Sequence, residues 1–578
     1  MKKLFFLASA LLCGVISASA VDYLVQTGKE GDAVWTDAAI NTIKTKGSTN
    51  VKVISFDTVK IANLPTTGEF WFAAGTYDFT ESYDMKANTK LIGGFAGTET
   101  YATAPQKQNN KPYDYANPTI LNVVQSGENP IRLFKNDAQS GVDLTGLTIQ
   151  NSKHEAAGGV YKVHGTNNIK YCTFKNNSTT GDGGAILVYN SNATIEGCLF
   201  EGNTAANGGA IRIGGTTEKL SVTIKDCDFK NNEATNTSNG GGAISKVQAI
   251  ALNATGCTFD GNKAVYGGAL FINTTKDVVV ENCAFANNVA TTNGGAVYMH
   301  ANCSDTVTIN RCKMYLNTAA NGAAIYDEAA HYSIITNNVI YNNGCVVNSN
   351  KYPAVTHIKP LLFANNTICF NYGRVNVASN VAKAVVANNI VWGNKVQAGA
   401  STTEKPAFTS ASFNFVNASE ATGCAVSNNF TQNAIATNNN NKIVISNNVA
   451  IVEANMGFEA PTDTFGVVPA ERTAKYEKVL NANFALTSGS EFIDQGIDLA
   501  LVTTDILGTA RVAGKYDVGA YEFVGGGVGS AFENTEKAPL DIQAALQAGE
   551  VYNLLGQRVG ELQAGNIYIV GGQKVLMQ

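Results

Sequence analysis

Two carboxylates separated by one residue, Asp226 and Asp228, are the nearest this chain comes to a paired acid and base. On a strand running through Cys227 their side chains leave the same face about 6.7 Å apart. That separation suits glycosidic hydrolysis with inversion, in which one carboxyl protonates the leaving oxygen and the other activates water. The equivalent places one unit earlier and later are Gly197 with Leu199 and Gly256 with Thr258, so no third acid or base stands beside the pair. The competing reading is a solvated strand face, because an active site brings several groups together.

A second set is aromatic. Phe271, Tyr298 and Tyr326 take the same place in three successive units, each after an apolar residue that faces inward, so alternation sends all three outward in one row. Asn273, His300 and Glu328 follow two residues later. Aromatic faces edged by polar groups suit sugar rings, which present apolar C–H faces and hydroxyl rims. The alternative is that the rings stack on one another and steady an exposed sheet, at about 0.5–1.5 kcal/mol per pair. His300 by itself reads as a surface polar residue.

Both sets sit on a repeat. Cys-x-Phe-x-x-Asn occurs from Cys172, Cys198, Cys227, Cys257 and Cys283, and again from Cys312 with Met314 in place of Phe, at intervals of 26 to 30 residues. A second beat, Gly-Gly-Ala-Ile or a near variant, recurs between the cysteines. Self-similarity at this period specifies a solenoid, in which each unit buries its apolar face only by stacking on the next. After the glycines the large apolar residues alternate, with Ile186, Val188, Ile211, Ile213, Val297 and Met299 facing in. The glycine pair permits a positive φ or a close backbone approach at a corner. The asparagines at 177, 203, 232, 262, 288 and 317 fall at turns and stack from coil to coil. The register starts a coil earlier at Leu147, Ile149 and Ser152, and persists with Asn for Cys at Asn338, Asn366 and Asn389; Asn428, Phe430 and Asn433 keep one trace of it. Ten coils at about 4.8 Å each make a column of roughly 50 Å. Parallel, in-register strands with inward apolar rows define an all-β, right-handed parallel β-helix, the hand following the preference for right-handed crossovers.

Charged residues are only 15% of the chain and the formal charge is −5, or −7 once Lys2 and Lys3 leave with a leader, so nucleic acid is not an expected partner. Lys2, Lys3, the apolar run Leu4 to Ile16 and Ala18-Ser19-Ala20 form a secretory signal over 1–20. No later stretch has the roughly 20 apolar residues of a membrane helix. Ten cysteines remain after cleavage. Side chains stacked nearly parallel suit disulfide torsions poorly, and one Cys per coil without a fixed partner lacks zinc spacing, so the row reads as small buried hydrophobes.

The Gly-Gly-Ala-Ile and Phe-x-x-Asn beats resemble the repeats of chlamydial polymorphic outer-membrane proteins and of bacterial parallel β-helix proteins in the pectin-lyase-like superfamily. Phe70-Trp-Phe-Ala-Ala-Gly-Thr-Tyr77, Leu91-Ile-Gly-Gly-Phe-Ala-Gly-Thr-Glu99 and Asp517-Val-Gly-Ala-Tyr-Glu522 are similar to the opening and closing segments of such chains. The resemblance implies an exported surface protein and leaves catalysis open, since the superfamily holds enzymes and non-enzymes. The Asn-Thr-Asp, Asp-Asp, Gly-His-Gly and Arg-Ile-Lys signatures of its enzymes are absent from this sequence. Val551-Tyr-Asn-Leu-Leu-Gly-Gln-Arg-Val559 and Gly565-Asn-Ile-Tyr-Ile-Val570 resemble the C-terminal sorting domains of Bacteroidetes type IX secretion.

The expected organisation is a signal at 1–20, a cap and first coils at 21–118 with a helix over Trp35 to Lys44 closing one end, and regular β-helix at 119–394. Irregular C-terminal coils and a cap at 395–523, a linker at 524–532 and a small, sorting-like β-rich domain at 533–578 complete it. The functional reading is a secreted or surface-attached, adhesin-like or glycan-binding module, with an extracellular polysaccharide or a surface protein as partner and no cofactor. The competing class is a polysaccharide lyase or glycoside hydrolase, under which alone calcium enters.

Overall fold

One rung shows how the repeat folds. Gly208 takes a left-handed φ of 64°, and a Cβ added to Gly209 would lie 2.2 Å from the Gly242 carbonyl oxygen of the next rung. The first glycine therefore turns the corner and the second lets the rungs close to hydrogen-bonding distance. The chain then runs through Ile211–Gly214 and Ser221–Lys225, turns at Asp226 and Cys227, and continues as Asp228–Lys230. It turns again at Asn231 and Asn232 before the short strand Glu233–Ala234. Each strand pairs in parallel with its counterpart one rung on: Ile211 with Ile244, Val222 with Leu252, Phe229 with Phe259, and Glu233 with Lys263.

The computed structural model describes residues 22–524, interrupted at 46–49, 57–62, 99–110, 126–129, 135–140, 157, 218, 239, 329–332, 346–353, 378–383, 398–407, 411–412, 416–423, 433–435, 438–442, 452–455 and 462–478, together with 551–553, 567–570 and 573–576. The leader and the glycine-rich run at 525–530 lie outside the described residues. Repetition of the rung builds a long sheet of 25 strands, a middle sheet of 14 and a short sheet of eight. Their pairings are parallel throughout, which makes the chain an all-β parallel β-helix. Residues 530–578 form a separate unit whose described part is the antiparallel sheet of Val551–Asn553, Ile567–Val570 and Gln573–Leu576.

Like side chains stack in columns inside. Phe174, Phe200, Phe229, Phe259 and Phe285 lie with ring centroids 4.7–4.9 Å apart and planes within 6° of parallel, and Met314, Ile340, Ile368 and Val391 continue the file. The asparagines form a ladder. From Asn177 through Asn203, Asn232, Asn262, Asn288, Asn317, Asn343 and Asn371 to Asn394, each Nδ2 donates to the Oδ1 of the next at 2.9–3.1 Å. Each Oδ1 also accepts the backbone N–H of the preceding asparagine, as from Asn203 to Asn232 at 3.0 Å. A row of buried amides is thus paired at every rung of the ladder.

The cysteine file is buried at the other corner, where the Cys172 and Cys198 backbone amides donate to the Sγ of the next cysteine at 3.4 and 3.3 Å. Asparagine takes over the same corner at Cys312, whose N–H donates to Asn338 Oδ1 at 2.8 Å, and carries the file through Asn366, Asn389 and Asn429 to Asn448. Among the described residues nine cysteines are free thiols, all buried, and burial holds those of Cys227, Cys257 and Cys283 well above their ordinary acidity range. A protonated, enclosed thiol is a poor nucleophile. These nine thiols are therefore expected to stay unlabelled by a maleimide for hours in the native protein while those of the unfolded chain react within minutes; mass spectrometry of labelled Cys227 or Cys257 in native buffer would refute the enclosure.

The ends depart from expectation. At position 428 the file passes one residue later than the sequence beat, because Asn429 occupies the ladder while Asn428 is the left-handed corner residue, φ 51°. Phe430 accordingly pairs beside Ile390, not Val391, and Asn433 lies outside the described residues. The N-terminal helix forms over Asp37–Thr45, yet it packs on the outer face of the first strands. Its Ala39 and Ile43, with Trp35, join Leu24, Trp71 and Phe95, whereas the alternate residues Val25, Phe70 and Phe72 enter the main core.

The C-terminal stretch also differs from a run of irregular coils. Strands continue at Cys424–Ser427, Phe430–Thr431, Ile443–Ser446 and Val449–Ala450, after which the chain returns along the outside of the middle sheet as a strap over 483–523. Phe484, Phe492, Ile506, Val518 and Tyr521 cover outward Val339, Tyr341, Cys369 and Ile390. Corner asparagines fasten it: Asn365 Nδ2 donates to the Asp517 carbonyl at 3.0 Å and Asn388 Nδ2 to that of Ile497 at 2.8 Å. Arg511 ties strap to column, donating to Glu522 Oε2 at 2.9 Å, the Gly519 carbonyl at 2.9 Å and Asn337 Oδ1 at 3.0 Å. Arg511→Met leaves the Glu522 carboxylate without its cation and should cost about 3 kcal/mol. The expected readout is faster amide exchange over 506–522 with the Phe174–Phe285 rungs unchanged; equal exchange in both proteins would show that the arginine fastens nothing.

Candidate functional site

Alternation along the middle sheet sends one column outward: Ile120, Thr148, Thr173, Leu199, Asp228, Thr258, Ala284, Lys313 and Val339. The C-terminal strap covers its far end. Near its start, residues 111–118 cross several rungs before entering the strand Thr119–Val123. Tyr113 Oη donates to Asp228 Oδ2 at 2.5 Å, Lys111 Nζ approaches the same oxygen at 3.3 Å, and the Tyr115 ring packs over Gly146. Burial first, and the Asp228 carboxylate second, hold the Tyr113 phenol protonated well above its ordinary range.

These contacts correct the paired-carboxylate reading. Asp226 lies in the corner with φ 51°, not in the strand, and its side chain is mostly exposed beside Lys225 at 3.7 Å. Asp228 opens the strand and is buried under Tyr113 and Lys111. The two do not share a strand face, and Asp228 acts as the anchor of a crossing loop. Lys111 and Tyr113 were invisible as partners because more than 110 residues separate them from Asp228.

Between the loop and the sheet lies an open cleft of about 240 Å³ lined by Tyr113, Asp114, Tyr115, Thr148, Thr173 and Leu199, with Pro118, Thr119 and Gly146. Thr119 is committed elsewhere, its Oγ1 accepting from Gly94 N–H at 3.0 Å and reaching the Phe72 and Ala73 carbonyls at 3.2 Å. Among the described residues the Thr148 and Thr173 hydroxyls have no protein partner. No motif marks this cleft; its signal is the row of outward residues that the Cys-x-Phe register defines.

The aromatic row exists, but its faces are spent. Phe271 and Tyr298 are 0% and 3% exposed, packed with Val247 and flanked by Tyr266 and Tyr326. Ring centroids run 5.4 Å from Phe271 to Tyr298, 5.9 Å on to Tyr326 and 4.9 Å on to His357, a member the sequence reading missed. Tyr298 Oη donates to Glu328 Oε2 at 2.8 Å. Asn273, His300, Tyr326 and Glu328 are half-buried at its edge. Phe271 and Tyr298 thus offer no platform to a sugar, because their neighbours already cover both rings.

One family model falls on the rungs. Residues 171–189, 197–214 and 282–299 match the Chlamydia polymorphic membrane protein (Chlamydia_PMP) repeat. Over 344 residues, 53% of this chain, the sequence is 25% identical to metabotropic glutamate receptor-like protein R of Dictyostelium discoideum, and the match spans 20% of that relative's length. The crystal structure of pectate lyase Pel9A aligns over 88% of this chain and 98% of its own, with 12% identity and a TM-score of 0.26. Among the described residues no helix is long and apolar enough to cross a membrane.

Proposed function

We propose that this chain is an exported, adhesin-like β-helix, secreted or held at the cell surface, that binds an extracellular glycan and does not cleave it. The supporting observation is the cleft beneath residues 111–118, where aromatic and aliphatic walls meet two unpartnered hydroxyls on a rigid sheet. The carboxylate that catalysis would recruit, Asp228, is engaged by Tyr113 and Lys111. The matched repeats and the leader-like first twenty residues support a place outside the cytoplasm.

The test is a glycan array probed with the whole chain, run beside assays for released reducing ends and for unsaturated sugar products. Binding without product is the expected outcome. Product formation that Asp228→Asn abolishes would replace this reading with a hydrolase or lyase, and an array without any signal would remove glycan binding altogether.

A further inference from the structure

We infer that the cleft under residues 111–118 takes a single uncharged sugar ring, at a chain end or side branch, and this deepens the glycan-binding reading on which it rests. Size sets the first limit. At about 240 Å³ the cleft falls below the roughly 300–1,000 Å³ of sites for drug-sized ligands. Three successive outward residues, Thr148, Thr173 and Leu199, span only about 10 Å at the spacing of paired strands. The next member of that column, Asp228, is covered by Tyr113, so the cleft is closed toward the rest of the sheet.

Chemistry sets the second. Leu199, Pro118 and the Tyr115 ring supply an apolar wall for a C–H face, while the Thr148 and Thr173 hydroxyls both donate and accept, as a sugar's own hydroxyls require. An anionic ring is disfavoured. Asp114 lines the cleft and Asp228 closes it, and Lys111 and Lys175 already hold carboxylate partners, Asp228 at 3.3 Å and Glu201 at 2.9 Å. A uronate carboxylate would find no free cation in either lysine.

The experiment titrates the whole chain with methyl glycosides of glucose, galactose, mannose and N-acetylglucosamine, and in parallel with glucuronate and galacturonate. Neutral rings are expected to bind and uronates to bind more weakly. Thr148→Val with Thr173→Val should lower affinity about tenfold or more, the loss expected for two hydrogen bonds that the cleft no longer supplies. Thr173→Trp, which fills the cleft from an outward position, should abolish binding while leaving the thermal midpoint and thiol protection of the native column in place. Array signals that survive Thr173→Trp, or tighter binding of uronates, overturn the assignment and leave the glycan-binding reading standing; absence of any binding overturns both.

Discussion

Asn232→Leu lowers the unfolding free energy by about 4–6 kcal/mol, the largest effect expected of a single substitution in this chain. The side chain is fully buried and every polar atom in it is used. Its Oδ1 accepts both the backbone N–H of Asn203 at 3.0 Å and the Asn203 Nδ2 at 2.9 Å, and its own Nδ2 donates to the Phe200 carbonyl and to Asn262 Oδ1, each at 2.9 Å. Leucine removes both halves and orphans two donors on Asn203, its backbone N–H and one Nδ2 hydrogen. An unsatisfied buried polar group costs about 1–3 kcal/mol. The consequence extends along the column, because rungs contact only their neighbours and the stack holds together through nearest-neighbour interfaces. A broken rung in the middle is expected to split one cooperative transition into two in a urea titration, with amide protection lost first around 200–262. A single transition at the parent midpoint would mean that the ladder contributes nothing beyond shape.

Why the ladder was legible and the site was not follows from where each interaction lies in sequence. Cys, Phe and Asn hold fixed offsets within a unit of 26 to 30 residues, so the faces they share can be read from spacing alone. The corner at Asp226 was legible too, in a signal passed over: Gly197 and Gly256 hold the equivalent place, and both have positive φ, as Asp226 does. Two glycines flanking a residue in register mark a left-handed corner and not a strand. The aromatic row was placed correctly on the outside, but its burial comes from Tyr266 at the preceding glycine corner and from the neighbouring rings themselves, which alternation cannot reveal. The crossing loop and the strap lie beyond any local pattern. Tyr113 meets Asp228 115 residues on, and Asn365 meets Asp517 152 residues on. Asn365 and Asn388 precede the ladder asparagines Asn366 and Asn389, and what turns them into fasteners is the position of a returning chain.

Replacing Lys246 by methionine should stabilise the protein below neutral pH and remove a pH dependence that the parent shows. Lys246 stands in an inward column between Ile213 and Ile272, two rungs before Met299, and is completely buried. Its ammonium donates to the Val247 and Gln248 carbonyls at 3.2 and 2.9 Å and to Thr274 Oγ1 at 2.9 Å. Burial, opposed by Cys303 and reinforced by Arg212, still lowers its pKa from 10.5 to about 7. The unfolded chain therefore binds the proton more tightly than the folded one between about pH 7 and 10.5. Stability rises with pH across that window; the full penalty, about 4–5 kcal/mol, applies below it and vanishes above it. Methionine has a similar length and no charge to bury, and loses hydrogen bonds worth about 1 kcal/mol each. Urea titrations at pH 6 to 10 should show Lys246→Met ahead by about 2 kcal/mol at the acid end, with the two proteins converging or crossing toward pH 10. Parallel curves for parent and variant would mean that the ammonium is solvated in a way its enclosure among Ile213, Ile272 and Thr274 does not allow.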